Sequence, residues 1–99
     1  MKSIHKEKLT GTTASGTFSA NTSTFIRGIL RNIAIKPTTE STTYDVAIVD
    51  DLSMTIWNRT SEQGSFSEQI ALPIKGVHTL TISNATTDEA FTIELGVEE

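Results

Sequence analysis

The clearest pattern lies in the last quarter of the chain. Phe91, Ile93, Leu95 and Val97 alternate with Thr92, Glu94, Gly96 and Glu98. A period of two marks a strand with one buried and one wet face. Just upstream, Leu80 and Ile82 alternate with Thr79, Thr81 and Ser83, and a turn-rich segment, residues 84–89, joins the two stretches. Read locally, this predicts an antiparallel hairpin that needs the rest of the chain to supply the opposite side of a core.

The same alternation recurs upstream. Tyr44, Val46 and Ile48 share one face and take Tyr44 into the core, and residues 50–53 turn the chain. Met54 and Ile56 then alternate with Thr55 and Trp57, and residues 59–65, with Gly64, read as a loop. Residues 66–72 read as a strand with Ile70 and Leu72 on one face, and residues 73–76 as the turn into the closing hairpin. Nearer the start, residues 17–20 form a short strand between a small-residue loop at 11–16 and a turn at 21–23. Residues 25–36 admit two readings. Phe25, Ile26, Ile29, Leu30 and Ile33 fit a helical stripe, whereas Arg27, Ile29, Arg31, Ile33 and Ile35 alternate. The Lys36–Pro37 ending favours extended backbone, and the strand reading is adopted. Residues 1–10 are basic and polar, anchored by Ile4 and Leu9, and read as an arm or an edge strand ahead of one domain at 11–99. Seven or eight short strands with turn signals between them predict an all-β fold, an antiparallel β-sandwich of jelly-roll type.

Composition narrows the function classes. A chain of 99 residues makes one domain. Its 17 Thr and 10 Ser stand between regularly spaced apolar residues, which speaks for strands against low-complexity disorder. There is no Cys, hence no disulfide and no thiolate chemistry. The first residues lack the apolar core of a signal peptide, and the longest apolar run, residues 46–49, is far short of a membrane span. Net charge of -4 argues against nucleic acid, which needs clustered cations. The charge is divided: residues 1–36 carry six Lys/Arg against Glu7 alone (+5), and residues 37–99 carry two against eleven acids (-9). That asymmetry reads either as chance on a solvated surface or as complementarity, in which the basic start, with Lys2, Lys6 and Lys8, docks on an acidic surface such as the Glu94/Glu98 face of a partner or another copy.

Residues for catalysis are sparse. The two histidines, His5 and His78, sit in the polar start and beside the Leu80/Ile82 row, and no Gly-x-Ser-x-Gly elbow occurs. Asp50–Asp51 and Asp88–Glu89 lack the spacing of a calcium loop and read as turn residues. The expectation is a chain without enzymatic activity and without a cofactor or metal. Trp57 has three roles open to it: core, interface anchor, or stacking platform for a sugar.

Several strings resemble small virion proteins of tailed bacteriophages. They are residues 31–39 (RNIAIKPTT), 43–46 (TYDV), 72–77 (LPIKGV) and 81–91 (TISNATTDEAF). The resemblance implies a virion structural component of capsid decoration (cement) type that clamps neighbouring subunits. Its partners would be the major capsid protein and copies of itself. The alternative is a carbohydrate-binding β-sandwich, or a tail or connector component, in host recognition.

Overall fold

The computed structural model describes residues 4–22 and 26–99; Lys2 and Phe25 lie outside them. Eight strands follow one another: β1 (Ile4–Thr12), β2 (Phe18–Asn21), β3 (Ile26–Pro37), β4 (Thr43–Val49), β5 (Thr55–Gln63), β6 (Phe66–Gly76), β7 (Thr79–Ser83) and β8 (Ala90–Glu98). They pair antiparallel into two four-stranded sheets, β1-β8-β3-β6 (sheet 1) and β2-β7-β4-β5 (sheet 2). This interleaved order is that of a jelly roll. The stretch with two readings is a strand, β3, hydrogen-bonded to β6 on one side and β8 on the other.

The core lies between the sheets. Sheet 1 contributes Leu9, Leu30, Ile33, Ile35, Ile74 and the β8 row Phe91, Ile93, Leu95 and Val97. Sheet 2 contributes Tyr44, Val46, Ile48, Leu80 and Ile82. Each of these four β8 side chains is 0–2% exposed, and burying one of this size stabilises by roughly 1.5–3 kcal/mol. Phe91 reaches across to sheet 2, meeting Tyr44 edge-on at 5.1 Å and Phe18 at 5.9 Å between centroids.

The expected closing hairpin does not form. β7 belongs to sheet 2 and β8 to sheet 1, so residues 84–89 form an arch over the end of the sandwich. The apolar rows of β7 and β8 do not extend one surface; they face each other across the core. The β1–β2 connection crosses between the sheets in the same way, and the two arches lie side by side. Thr13, 1% exposed, stitches them together. Its N–H donates to Glu89 O (2.9 Å) and its carbonyl accepts from Asp88 N (2.9 Å). Its hydroxyl donates to Thr86 O (2.6 Å) and accepts from Glu89 N (2.9 Å).

Other departures have local causes. β6 runs through Pro73 to Gly76, where a turn was expected, because an edge strand tolerates a residue without an N–H. Residues 59–63 likewise belong to β5, and Gly11 and Thr12 to β1. β5 carries two bulges. Ser61 (φ 57) sits at the first, its N–H donating to the Asp45 carboxylate at 2.8 Å. At the second, Ile56 is the extra residue between the pairs Ile48–Trp57 and Val49–Thr55. Strict alternation fails there. Ile56 and Trp57 both pack on the core, and Met54, expected to share the inward face with Ile56, is 62% exposed. Of the two readings of the start, the described part takes the edge strand: Ile4–Thr12 is paired along its length with β8, and Leu9 is in the core.

Tyr44 is buried and donates its hydroxyl to Gly64 O at 2.7 Å. Gly64 (φ 69) turns the chain from β5 into β6, so this bond ties the β5–β6 turn to the core. Burial, reinforced by Glu62 and Glu40, pushes the Tyr44 phenol from 10.0 to about 12. The raised value in the fold means that the neutral phenol stabilises it. That stabilisation is complete below 10.0 and is lost as pH rises through about 12. Tyr44 is the sole tyrosine, so ultraviolet titration should show one phenol ionising near 12 in the native chain and near 10 in denaturant. In Thr13→Val the shape is kept but the Glu89 N–H and Thr86 carbonyl lose their partner; chemical denaturation should show a loss of about 1–3 kcal/mol.

Candidate functional site

The outward face of sheet 1 carries most of the charged candidates. β1 and β8 lie in register with Lys8 opposite Glu94 and Lys6 opposite Gly96. Lys6 Nζ is 3.5 Å from Glu94, and Arg31 of β3 reaches Glu98 at 2.9 Å. Lys6, Lys8, Glu94 and Glu98 are thus brought together, but within one molecule. The basic strand lies beside the acidic one, and Lys6 and Arg31 of the same molecule already neighbour Glu94 and Glu98.

Towards β6 the same face opens into a trough of two contiguous depressions. One, ≈ 680 Å³, is lined by Arg31, Asn32, Gln69 and Ala71 with Ser67, Glu68 and Ile70. The other, ≈ 400 Å³, shares Ser67 and continues past Ala34, Lys36, Phe66, Thr92 and Glu94. Alternation along β6 builds one wall: Phe66, Glu68, Ile70 and Leu72 turn towards the interior, so Ser67, Gln69 and Ala71 turn outward. A bulge between Leu30 and Asn32 shifts the register of β3 against both neighbours and sets Arg31 and Asn32 side by side at the trough.

The floor depends on Gly96. A Cβ there would collide with Asn32 Oδ1, so the Asn32 amide lies over the glycine backbone. At the other end, Glu40 accepts from Ser65 N (2.9 Å) and Ser65 Oγ (2.6 Å). Those bonds hold its carboxyl below the usual carboxylate range.

Trp57 sits elsewhere, at the lateral opening of the sandwich where edge strands β5 and β6 face each other. Its ring stacks on Phe66 across the gap (6.3 Å, 25°). Its Nε1–H donates to Glu68 Oε2 at 3.3 Å, and the Arg59 guanidinium lies 5.0 Å from its ring centroid. Arg59 Nε donates to Glu68 Oε1 at 2.9 Å, and its Nη2 donates to Oε2. Of the three roles open to Trp57, the structure gives it a packing one. It closes the sandwich laterally and supports Phe66 and Glu68, which line the trough.

The remaining candidates resolve into local roles. His78 is buried, its Nδ1 3.1 Å from Gly76 O, and its backbone N–H donates to Thr22 Oγ1 at 2.9 Å. His5 Nε2 lies 3.1 Å from Glu7. Asp50 caps its own turn, and Glu89 accepts from Thr39 N at 2.6 Å. Among the described residues no group of three His, Asp or Glu side chains is placed to hold a metal.

Sequence reasoning did not single out Arg31, Asn32, Lys36, Ser67, Gln69, Arg59 or Glu68 as site residues. The outward places of Ser67, Gln69 and Ala71 follow from the inward reading of Ile70 and Leu72. Their meeting with β3 depends on a pairing between strands distant in the chain.

The fold and face together define a small jelly-roll module with an open polar trough outside one sheet. No protein-family model matches the chain, and no curated protein matches it. Among solved structures, it is similar to a family two carbohydrate esterase from Cellvibrio japonicus, with 14% identity over 99% of this chain and a TM-score of 0.49. The chain spans about a third (34%) of the length of that structure. A likeness of this degree carries no argument about function.

In Gly96→Ala, the new methyl displaces only the end of a flexible side chain. The expected result is a stability change within about 1 kcal/mol together with a large shift of the Asn32 side-chain amide resonances, read by thermal melting and NMR.

Proposed function

We propose that the chain is a non-catalytic binding module whose trough on sheet 1 takes a carbohydrate. The observation that carries this reading is the trough lining. Asn32, Gln69, Ser67, Thr92, Arg31, Lys36 and Glu94 set amides, hydroxyls and charges along one rigid sheet. Amide and charged groups held on strands match the closely spaced hydroxyls of a sugar chain. Arg31 is pre-oriented by Glu98 and Asn32 by Gly96, so little side-chain freedom remains to be lost on binding. Phe66 turns inward at the edge of the trough and stacks on Trp57, which stiffens that wall. The histidine rings are turned to Glu7 and to the Gly76 carbonyl, which fits a binding role better than nucleophile activation.

Titration with a panel of soluble oligosaccharides, followed by NMR, tests this. Saturable shifts at the Asn32 and Gln69 side-chain amides are expected. The double variant Asn32→Ala/Gln69→Ala should weaken binding by about tenfold or more. Binding that ignores both substitutions, or no shift with any member of the panel, would sink the reading.

A second reading, a virion structural protein that decorates capsid subunits, is favoured by one feature. Leu52 and Met54 are 78% and 62% exposed on the β4–β5 turn, and exposed apolar side chains on an ordered turn suit a protein partner. Co-sedimentation of the chain with expanded empty capsids would favour this reading over the first.

A further inference from the structure

We propose that the Asp50–Met54 turn docks a second copy of this chain. The turn is preformed. Asp50 Oδ1 accepts from Leu52 N and Met54 N, both at 2.9 Å, Asp50 N donates to Met54 O at 2.9 Å, and Ser53 N donates to Asp50 O at 3.0 Å. These bonds hold two large apolar side chains in water, although a solvated hairpin turn has no need of them. Because the loop is already ordered, little of its conformational freedom is lost on association.

The charges around the turn indicate the occupant. Leu52 and Met54 follow two acids, Asp50 and Asp51. On the outward face of sheet 1, Ile29 of β3 lies opposite Pro73 of β6, and the next outward pair along is Arg27 opposite Lys75. Like charges directly opposite each other on neighbouring strands repel. Among the described residues no ion pair joins Arg27 or Lys75 to an acid. The two surfaces are complementary: an apolar pair beside carboxylates, and an apolar pair beside two cations that no ion pair among the described residues joins to an acid. Both lie at one end of the sandwich, since Asp51 Oδ2 stands 3.6 Å from where a Cβ of Gly76 would be, next to Lys75. A two-fold arrangement therefore lets each copy's turn meet the other's patch. Asp50 is committed to its turn, and Asp51 is the carboxylate that meets the cations.

Sedimentation equilibrium of the full chain at low salt tests this. The weight-average mass should rise from 10.8 kDa towards twice that value with concentration, and salt should reverse the rise. Leu52→Ser/Met54→Ser, both at exposed positions, should weaken association by about tenfold or more. Asp51→Lys and Lys75→Glu should each weaken it, and the double exchange Asp51→Lys/Lys75→Glu should restore it. A chain that stays monomeric at every concentration overturns the proposal. So does an association that neither the serine pair nor the charge exchange alters. The readout is independent of sugar binding, so the two proposals fail separately.

Discussion

Two arches must close over one end of the sandwich before the core can exist, and buried Thr13 holds them together. Its peptide groups and hydroxyl make five hydrogen bonds to residues 86–89 of the neighbouring arch. With the arches stitched, β7 and β8 stand on opposite sheets and their apolar rows face each other. Phe91 can then touch Tyr44 and Phe18 of the opposite sheet. A hairpin between β7 and β8 would set those rows side by side and leave one large apolar surface uncovered. Fixing the arches with a buried hydroxyl also satisfies peptide groups that a sheet-crossing segment cannot pair in a ladder.

The outward face of sheet 1 follows from the same topology. β8 lies between β1 and β3, so its acids acquire cationic neighbours from both sides, Lys6 at Glu94 and Arg31 at Glu98. These exposed pairs contribute little to stability; their effect is to orient side chains at the trough. The trough exists because small residues, Gly96, Ala34 and Ala71, alternate with the inward apolar row while Asn32, Ser67 and Gln69 rise around them. Here the packing that builds the core also sets the binding groups.

The bulges of β5 work at the other side of the molecule. One brings Ile56 and Trp57 inward together and turns Met54 out. A single extra residue thereby both closes the lateral opening, through Trp57, Phe66, Arg59 and Glu68, and exposes the turn proposed to meet a second copy. Periodicity places Met54 with Ile56, which is why this feature escapes a reading of the sequence.

What the sequence by itself determined is most of the strands and, where alternation is unbroken, which side is apolar. Alternation along residues 44–48, 79–83 and 91–97 depends only on the two-residue repeat of extended backbone, which is local. That was enough for a jelly-roll-type sandwich, for Tyr44 in the core and for the outward places of Glu94 and Glu98. What the tertiary structure decided is which strands become neighbours. Pairing of β1 with β8 joins residues about ninety positions apart, such as Ile4 with Glu98, and no local pattern encodes that choice. It decided that residues 84–89 cross between sheets, that Lys6 meets Glu94 in the same molecule, and that Arg31 and Asn32 border a trough with Ser67 and Gln69. A strand's own alternation sets its faces; the partner that covers each face is settled only when the whole core is buried at once.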